Sequence, residues 1–187
     1  MRRWIVSHQG VVLLLGVFLL LNVAFLFISP DTIVQYIGVE NTYLMLFLMA
    51  TFGGVNVFTG GVLYATIIAF AAGGASPWLL GLTGGLGIAI GDSIVFFLFL
   101  YTSRRLSPAW QERVALSKQK IERLPSALQY LLIYLYLGFA PIPNDILMFM
   151  LAVLRFRFVV IVPFIIAGAV TFVTLVALVG EMLPYYK

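Results

Sequence analysis

The chain contains no cysteine. Disulfides, thiolate metal sites and a cysteine nucleophile are excluded, and the redox compartment leaves no trace. Charge is scarce too: Asp, Glu, Lys and Arg make up 10% of 187 residues against 63% hydrophobic residues, and mean hydropathy is +1.10. Soluble domains carry about 25% charged residues, so a water-soluble fold is excluded and no segment reads as a separate soluble domain. The single histidine, His8, stands alone near the start of the chain, an interfacial residue before a ligand. HExxH, a P-loop and a usable Ser-His-Asp set are all missing, which leaves hydrolytic and nucleotide-driven chemistry without residues. The expectation is a protein that is not an enzyme and has no cofactor or metal.

What is present is apolar, aromatic and rich in glycine: 16 Phe, 9 Tyr, 3 Trp and 17 Gly. Aromatics suit lipid-facing surfaces, and glycines suit helices that pack closely or break within a membrane. The 11 Lys and Arg exceed 7 Asp and Glu, but they lie in short tracts beside apolar runs. That pattern sets membrane topology and does not build a nucleic-acid surface. Membrane lipids are the expected partners, nucleic acid is not, and a homo-oligomer is compatible with the sequence.

A spanning helix needs about 20 apolar residues. Residues 10–29, 78–101 and 158–180 meet this; the first follows Arg2-Arg3, has no small-x-small cleavage site, and reads as a retained transmembrane helix. Two stretches behave differently. Residues 43–73 form an uncharged run of 31, interrupted by Gly53-Gly54 and Gly60-Gly61; residues 126–154 form a run of 29, broken by Pro141-Ile142-Pro143-Asn144-Asp145. Each is wrong in length for one span or for two, and both predict re-entrant hairpins of two half-helices.

Charge separates the topologies. If both stretches turn back, Arg2, Arg3, the loop from Arg104 to Arg123, Arg155 and Arg157 fall on one side, ten of eleven basic residues. If both cross, the basic loop faces away from the basic N-terminus, against the positive-inside rule. The N-terminus and loop 103–125 are thus expected in the cytoplasm, in the plasma membrane of a prokaryote. In outline, residues 43–105 and 126–187 become inverted copies, the architecture of many secondary transporters. The predicted fold is a single all-α membrane domain over 1–187, an inverted repeat of hairpin plus transmembrane helix behind an N-terminal helix. Between the halves, Ser107 and Pro108 start a helix on which Trp110, Val114, Ser117, Ile121 and Leu124 share a face, so residues 107–124 are expected on the inner membrane surface; a solvated basic loop is the alternative.

Asp145 is the only charged residue between Leu124 and Leu154. An acid at membrane depth costs about 3 kcal/mol on insertion scales, which makes it a candidate substrate or proton site; a first-turn acid facing the helix dipole is the compatible alternative. Asp92 shares a helix face with Gly81 and Gly85 and is expected to point into the bundle, or otherwise toward Arg104 and the inner interface. Thr51, Asn56 and Thr59, with Asn144, could line a polar cavity at the hairpin tips, or simply bond between helices. Arg155 and Arg157 could attract lipid phosphate or serve as topology anchors.

The run Gly84-Gly85-Leu86-Gly87-Ile88-Ala89-Ile90-Gly91-Asp92, with Tyr101 and Arg104, resembles the glycine-rich stretch of DedA proteins, also called VTT-domain or SNARE-associated Golgi family proteins. Pro141-Ile142-Pro143-Asn144-Asp145-Ile146-Leu147, with Arg155 and Gly168 beyond, resembles that family's P-x-P-x-D hairpin. The likeness covers residues 43–180. It implies two facing re-entrant hairpins, movement of polyprenyl phosphate or phospholipid between leaflets by a flippase or scramblase, and Pro141, Pro143, Asn144 and Asp145 at the site. Family members usually carry an acid in the first hairpin, whereas residues 41–91 here contain no Asp, Glu, Lys or Arg, a departure that points to an uncoupled scramblase or another substrate. The competing functions are an ion- or proton-coupled carrier of small solutes and a membrane assembly factor that transports nothing.

Overall fold

Prolines mark the start of three of the described helices. The computed structural model describes residues 41–53, 60–103, 114, 118–119, 121, 123–140 and 142–182. The expected helix over 10–29, the tip of the first broken stretch with Asn56 and Thr59, Arg104, Pro141 and most of the expected surface helix over 107–124 lie outside the described residues.

Among the described residues the chain is all-helical, with six helices: α1 (Thr42–Gly53), α2 (Gly60–Ala72), α3 (Pro77–Ser103), α4 (Ser126–Phe139), α5 (Asn144–Val153) and α6 (Phe158–Met182). α3 begins on Pro77, whose fixed φ suits a first helical position. α4 and α5 each follow a proline in extended conformation, Pro125 (ψ 137°) and Pro143 (ψ 125°). α4 stops at Ala140, which is extended (φ −89°, ψ 122°), as a residue before proline must be to avoid the ring.

Length sorts these helices into two classes. α3, with 27 residues, and α6, with 25, are long and apolar enough to cross a membrane. The other four have 12, 13, 14 and 10 residues; at 1.5 Å per residue they reach roughly half to two thirds of the way across an approximately 30 Å hydrocarbon core.

α3 and α6 run antiparallel and form the central seam. Gly81 abuts Thr174, Gly85 abuts Val170 and Phe96 lies 5.4 Å from Phe158, ring to ring. At Gly85 a Cβ would fall 2.5 Å from the Cα of Val170, so only glycine lets these backbones come so close. α1 runs parallel to α3, with Leu46 against Gly84, Ala50 against Gly87 and Thr51 against Gly91. α5 also runs parallel to α3, from Asn144 beside Asp92 to Phe149 beside Phe99. α2 and α4 follow the direction of α6: Tyr64 meets Phe172 and Ile68 meets Gly180, while Tyr130 stacks on Phe164 and the Tyr134 hydroxyl lies 3.2 Å from that of Thr171. Thus α1, α3 and α5 point one way and α2, α4 and α6 the other.

Each pair of short helices has both outer ends at one end of the long pair. The backbone N–H of Ser76, just before α3, donates to the Tyr43 hydroxyl at the start of α1 at 3.0 Å. At the opposite end, Gln129 and Tyr130 of α4 share a pocket with Leu154, Arg155 and Arg157 after α5. The two core clusters follow this division. One gathers Leu46, Ile67, Leu80, Ile88 and Val173, the other Phe96, Leu137, Met148, Ile161 and Ile165.

α2 and α5 also finish alike. Ala75 N–H bonds to Phe70 C=O and Gly74 N–H to Ala71 C=O; Phe156 N–H bonds to Leu151 C=O and Arg155 N–H to Ala152 C=O. Both are Schellman turns, which need a left-handed residue. Gly74 supplies it with φ 93°, Arg155 with φ 58°.

Candidate functional site

The inner ends of the four short helices converge halfway along α3. Gly91 lies against the Thr51 carbonyl, two residues before α1 ends. One position further, Asp92 turns to the start of α5, where its Oδ2 accepts a hydrogen bond from Asn144 Nδ2 at 2.9 Å. Asn144 is the first residue of α5, so the carboxylate sits at the positive end of that helix. Both side chains are buried, with exposures of 4% and 5%. Ser103, the last residue of α3, is about 16 Å away along the helix, so Asp92 belongs to the middle of the bundle.

Three further side chains surround this pair. Asp145, half-buried in the first turn of α5, and Tyr64 on α2 are within electrostatic range of Asp92. The Tyr136 hydroxyl donates to the Pro143 carbonyl at 3.1 Å and ties the end of α4 to the start of α5. Among the described residues every fully buried side-chain nitrogen or oxygen has a partner, and no group of three or more metal-binding side chains gathers.

Of the residues anticipated from sequence, Asp92, Asn144, Asp145 and Pro143 come together. Thr51 is buried next to Gly91, with its hydroxyl donated to the Phe47 carbonyl of its own helix at 2.8 Å. Arg155 and Arg157 are not at this site: they are exposed at the far end of α5, about 16 Å along the chain axis from Asn144. Asn56, Thr59 and Pro141 fall outside the described residues. The reading from sequence missed Tyr64 and Tyr136; a hydroxyl-bearing ring in an otherwise apolar half-helix is the only signal that marks them.

The arrangement has definite chemical capacity. A carboxylate and a carboxamide side by side can hold a proton, a cation or an amine, and can exchange hydrogen bonds with a polar headgroup. Compared with protein-family models, curated proteins and solved structures, the chain has no match.

Proposed function

We propose that this chain is a multi-pass membrane transporter of the DedA kind that moves lipids, polyprenyl phosphate or phospholipid, between leaflets as a flippase or scramblase. The observation that carries the reading is the convergence of half-length helices on the buried Asp92–Asn144 pair. Irregular backbone at membrane depth persists only where protein or a polar cavity receives it, and transporters place substrate sites where such broken helices meet.

An inverted repeat is supported by contacts that recur in both halves. Gly87 abuts the Phe47 carbonyl, Ala50 and the Thr51 N–H; Gly168 abuts the Tyr134 carbonyl, Leu137 and the Gly138 N–H. The shift in sequence that carries Gly74 onto Arg155 also carries Ile68 onto Phe149 and Phe99 onto Gly180, so the Ile68–Gly180 contact in one half answers the Phe149–Phe99 contact in the other. The same shift carries Leu63 onto Asn144 and Asp92 onto Val173. Leu63 and Val173 are buried in one apolar cluster, so among the described residues the Asp92–Asn144 pair has no counterpart at these positions. The hairpin ends support a re-entrant course, since Tyr43 is bonded to Ser76. Lys118, Arg155 and Arg157 gather where α3 ends, which suits a cytoplasmic loop 103–125 and N-terminus in a prokaryotic plasma membrane.

The test is reconstitution. Liposomes holding the purified full chain are scored for dithionite-accessible labelled lipid and, separately, for solute uptake with and without a pH gradient. Lipid exchange without solute flux is the expected outcome; an assembly factor would give neither. The burial of Asp92 favours a second reading, an ion- or proton-coupled solute carrier, which solute flux driven by the pH gradient would support in place of the first.

A further inference from the structure

α1 lies along α2, whereas α4 and α5 are splayed so that their backbones scarcely approach. The opening between them is a cleft of about 510 Å³ whose walls include Leu132, Leu135 and Tyr136 of α4 and Ile146, Met150 and Leu151 of α5. That volume is within the roughly 300–1,000 Å³ of small-molecule sites, and nearly every wall atom is apolar. The cleft reaches Tyr136, whose hydroxyl donates to the carbonyl of Pro143, the residue before Asn144. At its other end it adjoins, across the shared residues Ile121, Gln129, Leu154 and Phe156, a smaller pocket of about 190 Å³ bordered by Lys118, Arg155 and Arg157.

Polarity therefore changes between two adjoining pockets, from cationic at the outer end of α5 to apolar between α4 and α5. That is the complement of an anionic amphiphile. A second observation comes from the turn after α5. Arg155 occupies the left-handed position of its Schellman turn, where the first half has Gly74. A non-glycine residue pays a conformational cost there, and such strain persists at sites with a use for the side chain. Among the described residues neither Arg155 nor Arg157 has an acidic partner, and both are exposed.

We infer that the cleft between α4 and α5 seats an anionic glycerophospholipid, with its phosphate against Arg155 and Arg157 and an acyl chain along Leu132, Leu135, Ile146 and Met150. The inference rests on the lipid-transport reading and deepens it. The headgroup waits at the basic end, and the apolar cleft leads from there toward the hairpin tip.

The test uses the full chain in neutral detergent, with native mass spectrometry scoring retained dioleoylphosphatidate against dioleoylphosphatidylcholine. The wild type should retain the anionic lipid preferentially. Removing both charges in Arg155→Gln/Arg157→Gln should weaken that retention roughly 30-fold, from about 1 kcal/mol per basic residue near a lipid surface, while Arg155→Lys/Arg157→Lys should keep most of it. Arg155→Gly should keep or raise the unfolding temperature and still lower retention, an outcome that a merely structural arginine would not give. Met150→Trp, which fills the cleft without adding polarity, should lower retention of the dioleoyl lipid and spare its dihexanoyl analogue. A phosphatidate with a diazirine in its acyl chain should label α4 or α5.

Equal retention of both lipids, unchanged retention in Arg155→Gln/Arg157→Gln, or labelling confined to other helices would overturn the seat. So would displacement by inorganic phosphate as readily as by phosphatidate, which marks a free-phosphate site, or a stable dimer that excludes lipid from the cleft. The two readings fail separately. Lipid exchange in liposomes without anionic preference removes the seat and leaves transport, whereas preferential retention without exchange removes transport and leaves the seat.

Discussion

Asn144 donates its side-chain amide to the Asp92 carboxylate at 2.9 Å, across 52 residues of chain and between α5 and α3. Each side chain is the other's buried partner, so changes at the two positions have different consequences.

Asn144→Ala strands a buried carboxylate without its donor. The expected cost is about 1–3 kcal/mol, read as a lower unfolding temperature of the detergent-solubilised chain. Asp92→Asn keeps two groups that can bond and removes the ionisable group; it should unfold within about 1 kcal/mol of the wild type yet lose translocation in liposomes. Wild-type exchange by Asp92→Asn would remove Asp92 from the mechanism.

Asp145 lies in the first turn of α5 and is only half-buried. Asp145→Asn should cost no more than the roughly 0.3–1 kcal/mol of a lost helix-dipole interaction and leave membrane insertion intact. If Asp145 carries a proton, the mutant loses the response of transport to an imposed pH gradient. A full response would reject that role.

Glycines of the bundle should differ sharply in tolerance. Gly85→Ala sets a Cβ 2.5 Å from the Val170 Cα, and overpacking of this type costs about 1–3 kcal/mol. Gly61→Ala meets nothing within 4 Å and lies in α2; it should be neutral or stabilising by up to about 1 kcal/mol. Thermal unfolding of the two variants side by side decides the matter, and equal effects would contradict the close seam.

Tyr43→Phe removes the hydroxyl that accepts from Ser76. Its cost should be about 0.5–1.5 kcal/mol, with faster hydrogen exchange at Ser76. Single cysteines, which label cleanly because the chain has none of its own, should react from the same side at Asn41 and Gly74 and from the other side at Arg157. Reaction of Asn41 and Gly74 from opposite sides would rule out a hairpin.

Much of this architecture was legible because its punctuation is local. Pro143 and the glycine pairs interrupt long apolar runs, and their backbone preferences act within a residue or two, so the stretches 43–73 and 126–154, expected to be broken, each hold two short helices, α1–α2 and α4–α5. Asp92 and Asn144 were each visible as polar residues in apolar surroundings. Their pairing was not, because a uniformly apolar helix such as α3 carries no amphipathic stripe to say which face meets which neighbour. The same uniformity hid the partition of its glycines, Gly81 and Gly85 toward α6 and Gly87 and Gly91 toward α1. Arg155 misleads for another reason. A left-handed turn is normally announced by glycine or asparagine, and arginine gives no such notice.

The glycine seam between α3 and α6 bears on how the molecule can move. Backbones held this near one another, with a Val170 Cα filling the space a methyl would need at Gly85, cannot slide without collision. The long pair is the closely packed frame of the bundle. Of the short helices, α4 and α5 are each held to this seam while their backbones scarcely approach each other.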